Sequence, residues 1–321
     1  LQIGSFTTGI VNGTSALVGI FFVCMGAQLD LKCAPQAMKT GFTITIAKFA
    51  VSVAIGLVAA HFFNDSMFGL SALAIIAADS INIVLTEMVK IATRPVGDDD
   101  EEVRDYQKVV IIGYGGEPNT SAQLLYEGYL SDIANRHKEE KMDTIAGPLS
   151  ILNVVRPVAG YVTPMAAAFE MAKQHINKWK SEGRDGEEDP SPIVINITDG
   201  APSDETGYCT EAALTNTAIE AHEIMKISFA DGFPRIFNIM ISQLDGNEVR
   251  FPDNANALGE DPFAQFLFTI SSNMTEDLIS GISEKGLGNA NANSKILMMN
   301  INDPSALVNI LRVGTKVKKM R

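Results

Sequence analysis

The sequence predicts a doubly wound α/β domain, in which helices cover both faces of a mostly parallel sheet, preceded by two or three transmembrane helices. The first observation is the charge distribution. Residues 1–80 carry three cations and three anions, so the whole net charge of -13 falls in residues 81–321. The second is the pattern after residue 80, where short apolar runs alternate with helical stripes. We therefore predict a membrane segment over residues 1–79 and an α/β domain over residues 80–321.

Three apolar runs make up the predicted membrane segment. Residues 1–29 contain no charged side chain, and residues 42–63 are long enough to cross a hydrocarbon core at ~1.5 Å per residue. The third run, residues 67–78, is short for a span and would need support from neighbouring helices. The loop between the first two runs holds Lys32 and Lys39, so the positive-inside rule places it in the cytoplasm. We predict an inner-membrane protein whose α/β domain is also cytoplasmic.

Lys48 is the one cation inside the second apolar run. A charge at membrane depth costs about 2.5–3.5 kcal/mol and usually faces a partner or a watery cavity. Lys48 would then bind an anionic substrate. The alternative is a lysine near the start of the helix whose ammonium group extends to the membrane interface. Both interpretations stay open.

Short motifs in this segment resemble the opening helices of the 2-keto-3-deoxygluconate permease family. They are GSFTTG at 4–9, FVCMGA at 22–27, KTGFT at 39–43, AK at 47–48 and GLSALA at 69–74. The resemblance implies an inner-membrane carrier that takes up a sugar acid together with protons. A carrier needs its later helices to enclose a site at the membrane midplane. We therefore expect no transport from these eighty residues alone.

The α/β pattern opens with a helix, because Ile81, Val84, Leu85, Met88 and Ile91 fall on one face at helical spacing. The acidic run at 98–102 lacks the alternating ligands and the glycine of a calcium loop, so we predict a solvated linker. Residues 109–112 (VVII) then form a buried strand. It ends in a glycine-rich turn at 113–116, which lacks the spacing of a phosphate loop.

The remaining elements alternate in type. Further helices are predicted at 165–179, 211–227, 262–270 and 304–312, and further strands at 193–197, 236–241 and 295–299. This alternation implies a parallel sheet with right-handed crossovers. Ligands of such sheets bind at the carboxyl ends of the strands.

Two of these segments resemble a bacterial von Willebrand factor type A domain. Residues 192–203 (PIVINITDGAPS) are similar to its fourth strand, and residues 161–168 (YVTPMAAA) to its threonine loop. The resemblance implies a metal-ion-dependent adhesion site in which Asp199 and the Thr163 hydroxyl hold Mg²⁺ and an unidentified protein partner binds. Taken alone, Thr163 would be the N-cap of a helix and Asp199 part of a turn.

The chain departs from that family in one respect. The family's first strand ends in D-x-S-x-S and gives an aspartate and two serines to the metal, whereas Asp79, Ile81 and Ile83 stand at that spacing here. Thr163 and Asp199 alone would hold Mg²⁺ weakly, because the ion takes near-octahedral oxygen ligands. Two possibilities stay open for residues 74–78: a substitute strand that brings Asp79 to the metal, or a helix, which their alanines favour.

No enzyme is predicted. His222 and Glu223 begin like the zinc motif H-E-x-x-H, but Lys226 stands where the second histidine must be. The acidic balance argues against a nucleic-acid surface.

Three hypotheses follow. The first is a membrane-tethered protein-binding module with a degenerate metal site. The second is the remnant of a 2-keto-3-deoxygluconate:proton symporter, inactive without further helices. The third is a fusion of two partial genes in which neither half works.

Overall fold

The structure is a computed structural model that describes residues 67–96, 100–105, 107–137, 139–144, 147–158, 160–186, 189–241, 248–284 and 286–300. The chain forms two compact units, Leu1–Phe49 with Met142–Leu149 and Ala50–Lys141 with Ser150–Arg321. In the first unit only residues 142–144 and 147–149 are described. The apolar runs at 1–29 and 42–63, Lys48 and the predicted helix at 304–312 lie outside the described residues.

Helices and strands alternate along most of the described chain. The α-helices are α1 (Met67–Ala92), α2 (Leu130–Arg136), α3 (Met165–Ser181), α4 (Glu211–Ile224), α5 (Pro262–Thr269) and α6 (Glu276–Glu284). The strands are β1 (Thr93–Val96), β2 (Asp100–Val103), β3 (Lys108–Gly113), β4 (Gln123–Tyr129), β5 (Glu139–Thr144), β6 (Gly147–Leu152), β7 (Ile193–Thr198), β8 (Arg235–Met240), β9 (Val249–Arg250) and β10 (Leu297–Met299).

The main sheet has the strand order β7-β8-β10-β9. Strand β8 pairs in parallel with β7 on one side and with β10 on the other, and β9 pairs antiparallel with β10 at the edge. The strands predicted at 193–197, 236–241 and 295–299 are confirmed as β7, β8 and β10, with shifts of up to two residues at their ends. All three strands are mostly apolar, as is expected for strands of a sheet that is covered on both faces.

Helices cover both faces of this sheet. The side chain of Val84 on α1 packs in one core cluster with Phe237 and Ile239 of β8. Phe169 on α3 packs in another cluster with Ile236, the neighbour of Phe237 in β8. Since successive side chains of a strand point to opposite faces, α1 and α3 lie on opposite faces of β8.

The helix starts follow from local chemistry. The Thr210 hydroxyl accepts a hydrogen bond from the Ala213 N–H at 3.2 Å, which caps α4. Helix α5 begins with Asp261 as N-cap and Pro262 at its first position, where a missing N–H is harmless. The helices predicted around 165–179, 211–227 and 262–270 are confirmed as α3, α4 and α5.

Strand β3 does not belong to the main sheet. Residues 109–112 are a strand, as predicted, but β3 pairs antiparallel with β4 in a separate two-stranded sheet. The prediction that β3 and β7 belong to one sheet is therefore wrong for the described residues. The next strand along the chain follows after a short loop, and an antiparallel hairpin is the pairing that a short connection allows.

The acidic run at 98–102 is also not a simple linker. Strand β2 begins at Asp100 and pairs antiparallel with β1, with Arg94 opposite Glu102. The Arg94 Nη2 atom lies 2.7 Å from Glu102 Oε2, so opposite charges meet across the hairpin. The linker prediction is therefore wrong from Asp100 onward.

Helix α1 runs without a break from Met67 to Ala92, through the predicted domain boundary at 79/80. Residues 74–78 are helical, so the substitute strand is wrong and the alternative that their alanines favoured is confirmed. Among the described residues, no helix combines the length and the apolar character that a membrane span requires. The boundary at 79/80 itself stays a prediction.

Two side chains of α1, one turn apart, fix this helix to residues 152–155. The Asn82 amide donates to the Val155 carbonyl at 2.8 Å and accepts from the Val154 and Val155 N–H groups at 3.0 and 2.9 Å. The Thr86 hydroxyl accepts from the Leu152 N–H at 2.8 Å. Both side chains are buried, and residues four apart share one helix face. This polar seam ties the second half of α1 into the α/β core.

Candidate functional site

Three loops meet beyond the carboxyl end of β7, at residues 114–122, 160–164 and 199–208. We call these residues the loop cluster. The Gly116 carbonyl accepts hydrogen bonds from the N–H groups of Tyr161 at 2.7 Å and Val162 at 3.2 Å. A Cβ added to Gly160 would lie 1.9 Å from the Gly116 nitrogen, so the two backbones touch. Only glycine at position 160 allows this approach.

The loop of Thr163 is tied to the loop that follows β7. The Ser203 N–H donates to the Thr163 carbonyl at 2.9 Å, and the Thr163 N–H donates to the Ser203 hydroxyl at 2.7 Å. Asp199 comes directly after β7, four residues before Ser203. The structure therefore brings the Thr163 loop and the Asp199 loop together. Ser203 belongs to the motif at 192–203, but spacing along the chain does not reveal that its hydroxyl lies next to Thr163.

Asp79 lies elsewhere, in the middle of α1. No described hydrogen bond or ion pair joins its carboxylate to Thr163 or Asp199. Burial raises the pKa of the half-buried Asp79 carboxyl above its ordinary value, with no contribution from a second carboxylate. The position of Asp79 on α1 therefore does not indicate a metal site that it shares with Asp199.

Asp199 sits in a mixed environment. Its side chain keeps an exposed surface, yet protein atoms around it displace enough water to raise the pKa of its carboxyl. Its charge in turn helps to raise the pKa of the nearby Tyr114 hydroxyl, which burial raises more strongly. A carboxylate in such a position binds a cation or a basic group more readily than one in free solution.

The magnesium site of Thr163, Asp199 and Asp79 stays a prediction. Within the described ranges, no three His, Cys, Asp or Glu side chains form a group that could hold a metal ion. Of the three predicted ligands, the loops that the structure joins hold only two, the Thr163 hydroxyl and the Asp199 carboxylate. Magnesium held by a protein takes near-octahedral oxygen ligands. The described residues therefore do not fit a tightly held ion.

A row of polar side chains, half-buried at its first member and buried at the other three, runs from the loop cluster across the main sheet. We call Tyr114, Asn196, Asn238 and Ser271 the polar row. The Tyr114 hydroxyl lies 2.5 Å from Asn196 Oδ1 and 2.9 Å from the Ile197 carbonyl oxygen, so its single proton is shared. The Asn196 amide donates to Asn238 Oδ1 at 2.9 Å, and the Asn238 amide donates to the Ser271 hydroxyl at 2.8 Å.

Sequence reasoning missed the polar row, although a signal was present. Each of the strands IVINIT and RIFNIM carries an asparagine as its fourth residue, and Asn196 and Asn238 are direct neighbours in the sheet. A buried amide without a partner costs about 1–3 kcal/mol. Matching asparagines in two predicted buried strands therefore indicate that the strands pair in that register.

The rim of the loop cluster is acidic and carries exposed aromatic side chains. Glu117, Asp199 and Glu205 are exposed, while Tyr161 is 54% and Tyr208 73% exposed. No ion pair among the described residues involves these three acidic side chains. Hydrogen bonds from the Thr206 hydroxyl and N–H lower the pKa of the neighbouring Asp204, which keeps that carboxylate charged. The rim therefore suits a basic partner.

Comparison with known proteins concerns the other end of the chain. Residues 1–86 match the family model described as 2-keto-3-deoxygluconate permease. Over 82 residues the chain is 50% identical to 2-keto-3-deoxygluconate permease 1 of Salmonella typhimurium strain LT2, which is 25% of this chain and 26% of that protein. Over 81 residues it is 33% identical to the permease of Tolumonas auensis (23% and 24%), and over 80 residues 32% identical to that of Bacillus subtilis strain 168 (23% and 24%).

The N-terminal resemblance is thereby confirmed. The chain spans about a quarter of the length of the curated relatives it matches. Their names are those of transporters of the membrane rather than of enzymes. No solved structure matches the chain. The family match ends at Thr86, inside α1, and the von Willebrand factor type A resemblance of the residues beyond it stays a prediction.

Proposed function

We propose that residues 1–86 contribute to proton-coupled uptake of a sugar acid such as 2-keto-3-deoxygluconate. The observation that carries the proposal is the family match over these residues, with half of the matched positions identical to a permease. In this proposal the segment lies in the inner membrane and works only together with helices equivalent to the other three quarters of its relatives. Carriers of this kind form their site between several helices near the midplane.

Lys48 is the residue that we assign to the substrate within this segment. It is the one Lys or Arg between residues 40 and 89, and it stands in the apolar run at 42–63. The carboxylate of a sugar acid offsets the cost of an ammonium group at membrane depth, since each charge replaces the water that the other has lost. Lys39, in the preceding polar loop, has no such role in the proposal.

A chimeric carrier tests this function. The 82 matched residues of the Salmonella permease are replaced by those of this chain, and uptake of radiolabelled 2-keto-3-deoxygluconate is measured in cells that lack their own permease. We expect uptake by the chimera, a loss of about tenfold or more with Lys48→Ala, and little change with the matched control Lys39→Ala. The unmodified chain should give no uptake. A chimera that reaches the membrane but never transports would contradict the proposal.

A second candidate function concerns the α/β domain. We infer that the loop cluster binds a basic surface of a protein partner, as a von Willebrand factor type A-like module tethered to the membrane. Exposed Tyr161 and Tyr208 beside unpaired acidic side chains support this function, because tyrosines are enriched where partners bind. The family resemblance adds a weakly held Mg²⁺ at Thr163 and Asp199.

Thermal unfolding of the full chain in millimolar Mg²⁺ tests the metal part of this candidate. An ion that binds the folded state raises the melting temperature in proportion to its affinity. We expect a small rise for the natural chain and none for Asp199→Asn or Thr163→Val, with Asp79→Asn behaving like the natural chain. A rise that survives in Asp199→Asn would exclude this site.

A further inference from the structure

Strand β7 has a free edge within the described chain. Its pairing with β8 uses alternate residues: the Pro192 carbonyl accepts from the Arg235 N–H at 3.1 Å, and the Thr198 carbonyl accepts from the Ile241 N–H at 2.8 Å. In a parallel ladder, the residues between these positions alternate in the same way. The backbone groups of Ile193, Ile195 and Ile197 therefore point away from β8.

Only one partner is described for these outward-pointing groups. The Ile197 carbonyl accepts the Tyr114 hydroxyl at 2.9 Å. For the N–H groups of Ile193, Ile195 and Ile197, and for the carbonyls of the first two, the described residues supply none. A row of unpaired backbone groups along a strand is a template for another strand.

Strand β3 comes close to this edge at its carboxyl end. It ends at Gly113, and the next residue, Tyr114, reaches the carboxyl end of β7 through its hydroxyl group. The two strands therefore both end at the loop cluster, yet they belong to separate sheets. Two strands that flank a third are roughly 9.6 Å apart, twice the usual spacing. A tyrosine side chain with its hydrogen bond bridges a distance of this order.

Helices border the space between β3 and β7, which we call the slot. On α1, Val84 packs in the cluster that Ile195 and Ile197 join, while Leu85 packs with Val109 of β3. Helix α3 contacts β3 on its own side and packs with Val194 of β7. The slot therefore has the layered surroundings of a central strand position.

The slot is bordered by apolar side chains, among them Val109 to Ile112 of β3, that are incompletely buried. All six residues of β3 are half-buried, and Ile193 is 38% exposed, whereas five of six residues in β8 are buried. A strand covered by helices on both faces normally buries its side chains. Incomplete burial on both sides of the slot shows that apolar surface there still faces solvent.

We propose that the slot binds an extended segment of a partner protein, which pairs in parallel with β7 and carries about five apolar, β-branched residues followed by a lysine or arginine. The unpaired N–H and C=O groups of β7 require that the bound segment has an extended backbone. The apolar side chains around the slot favour apolar residues in that segment. A parallel strand would end beside Glu117, Asp199 and Glu205, and this acidic rim determines the cation that follows it.

Amide hydrogen exchange on the purified full chain, resolved by NMR, tests the proposal. The probe is the synthetic peptide VIVIVKK. Without peptide, we expect fast exchange at Ile193, Ile195 and Ile197 and slow exchange at the alternate residues Val194, Asn196 and Thr198. Saturating peptide should slow the first set by about tenfold or more and leave the second set unchanged.

Two controls separate strand pairing from hydrophobic adhesion. Ile193→Pro removes one N–H that faces the slot, at the first position of a strand, where proline is tolerated. Ile193→Ala keeps that N–H. We expect Ile193→Pro to weaken peptide binding about tenfold and Ile193→Ala to weaken it less. The peptide VIVIVEE should bind more weakly than VIVIVKK, with a difference that salt reduces.

Four results would overturn the proposal. If the Ile195 amide exchanges slowly without peptide at every protein concentration, another part of this chain fills the slot. Slow exchange that disappears on dilution would mean that a second copy fills it. Unchanged exchange at millimolar peptide would mean that no strand binds. Equal binding by Ile193→Pro and Ile193→Ala would mean that the peptide does not pair with β7.

Discussion

At the scale of single residues, Glu127 on β4 lies next to three basic side chains. Its Oε1 atom lies 2.9 Å from the ammonium groups of Lys108 and Lys178, and His175 Nδ1 lies 3.4 Å from its other oxygen. The hydrogen bonds from Lys178 and Lys108 lower the pKa of Glu127 to about 2. These contacts tie the β3–β4 hairpin to α3.

The depressed pKa of Glu127 predicts a specific loss of stability in acid. Because the folded-state pKa lies below the ordinary value of 4.5, the stabilisation is complete above about pH 4.5 and declines as the pH falls towards about 2. We expect Glu127→Gln to lower the free energy of unfolding by about 1–2 kcal/mol at pH 7, with a smaller effect at pH 3. Chemical denaturation at both pH values measures this, with the exposed Glu101→Gln as control. An equal loss at the two pH values would contradict it.

The polar row predicts non-additive substitutions. Asn196→Val leaves both the Tyr114 hydroxyl and the Asn238 amide short of a partner, so we expect a loss of about 2–4 kcal/mol. Asn238→Val should cost a similar amount. The double variant should cost less than the sum of the two, because it removes both partners of one hydrogen bond. Urea unfolding of the four proteins checks this, and strict additivity would show that the two amides are not coupled.

At the scale of elements, the contact between Gly116 and Gly160 controls the loop cluster. Gly160→Ala would place a methyl group against the Gly116 backbone, whereas nothing lies within 4 Å of a Cβ added to Gly200 in the same cluster. We expect Gly160→Ala to destabilise by about 2–3 kcal/mol or to shift the amide signals of Tyr161 and Val162. Gly200→Ala serves as the matched control and should change neither. Unaltered signals in Gly160→Ala would show that the two loops do not touch.

The polar seam of α1 gives a second prediction at this scale. Asn82→Ala removes three hydrogen bonds to Val154 and Val155, so we expect a loss of about 2–3 kcal/mol and faster amide exchange at both residues. Ile91→Ala, at a 79% exposed position of the same helix, should stay within about 0.5 kcal/mol. Equal stability of the two variants would show that the seam does not hold α1.

The elements that sequence reasoning recovered are those with a strong apolar pattern. Strands β7 and β8 and helices α3 to α5 were predicted because each has continuous apolar residues or a helical stripe between turn residues. Strand β2, with the sequence DEEV, was missed because its charged side chains are characteristic of exposed segments. Its hairpin forms through backbone pairing with β1 and the ion pair of Arg94 with Glu102, neither of which leaves an apolar pattern.

The candidate site was predictable only in part. Thr163 and Asp199 were identified because each lies in a recognisable loop motif, and the structure ties those loops together through Ser203. Asp79 was placed by spacing alone, but it stands on α1 with no described contact to the other two. Backbone contacts between loops, such as that of Gly116 with Gly160, depend on the tertiary arrangement. Spacing along the chain does not reveal them.

At the scale of the whole molecule, the two halves differ in the environment that they suit. The permease match covers residues 1–86, while the net charge of -13 arises from residues 81–321. We expect the full chain to remain with membranes after alkaline carbonate extraction, because the matched relatives are membrane carriers. A version that begins at Met67 should stay in the supernatant. Recovery of the full chain in the supernatant would show that residues 1–66 do not insert.

Because α1 is one unbroken helix, it fixes the angle about the helix axis between the residues before Asp79 and those after it. Each residue turns a helix by about 100°, so one residue inserted after Asp79 would swing Leu73 and Ile76 away from their buried side while Asn82 and Thr86 hold the remainder. Seven inserted residues, close to two full turns, would nearly restore the original angle. Any join made within this helix was therefore constrained in angle as well as in reading frame.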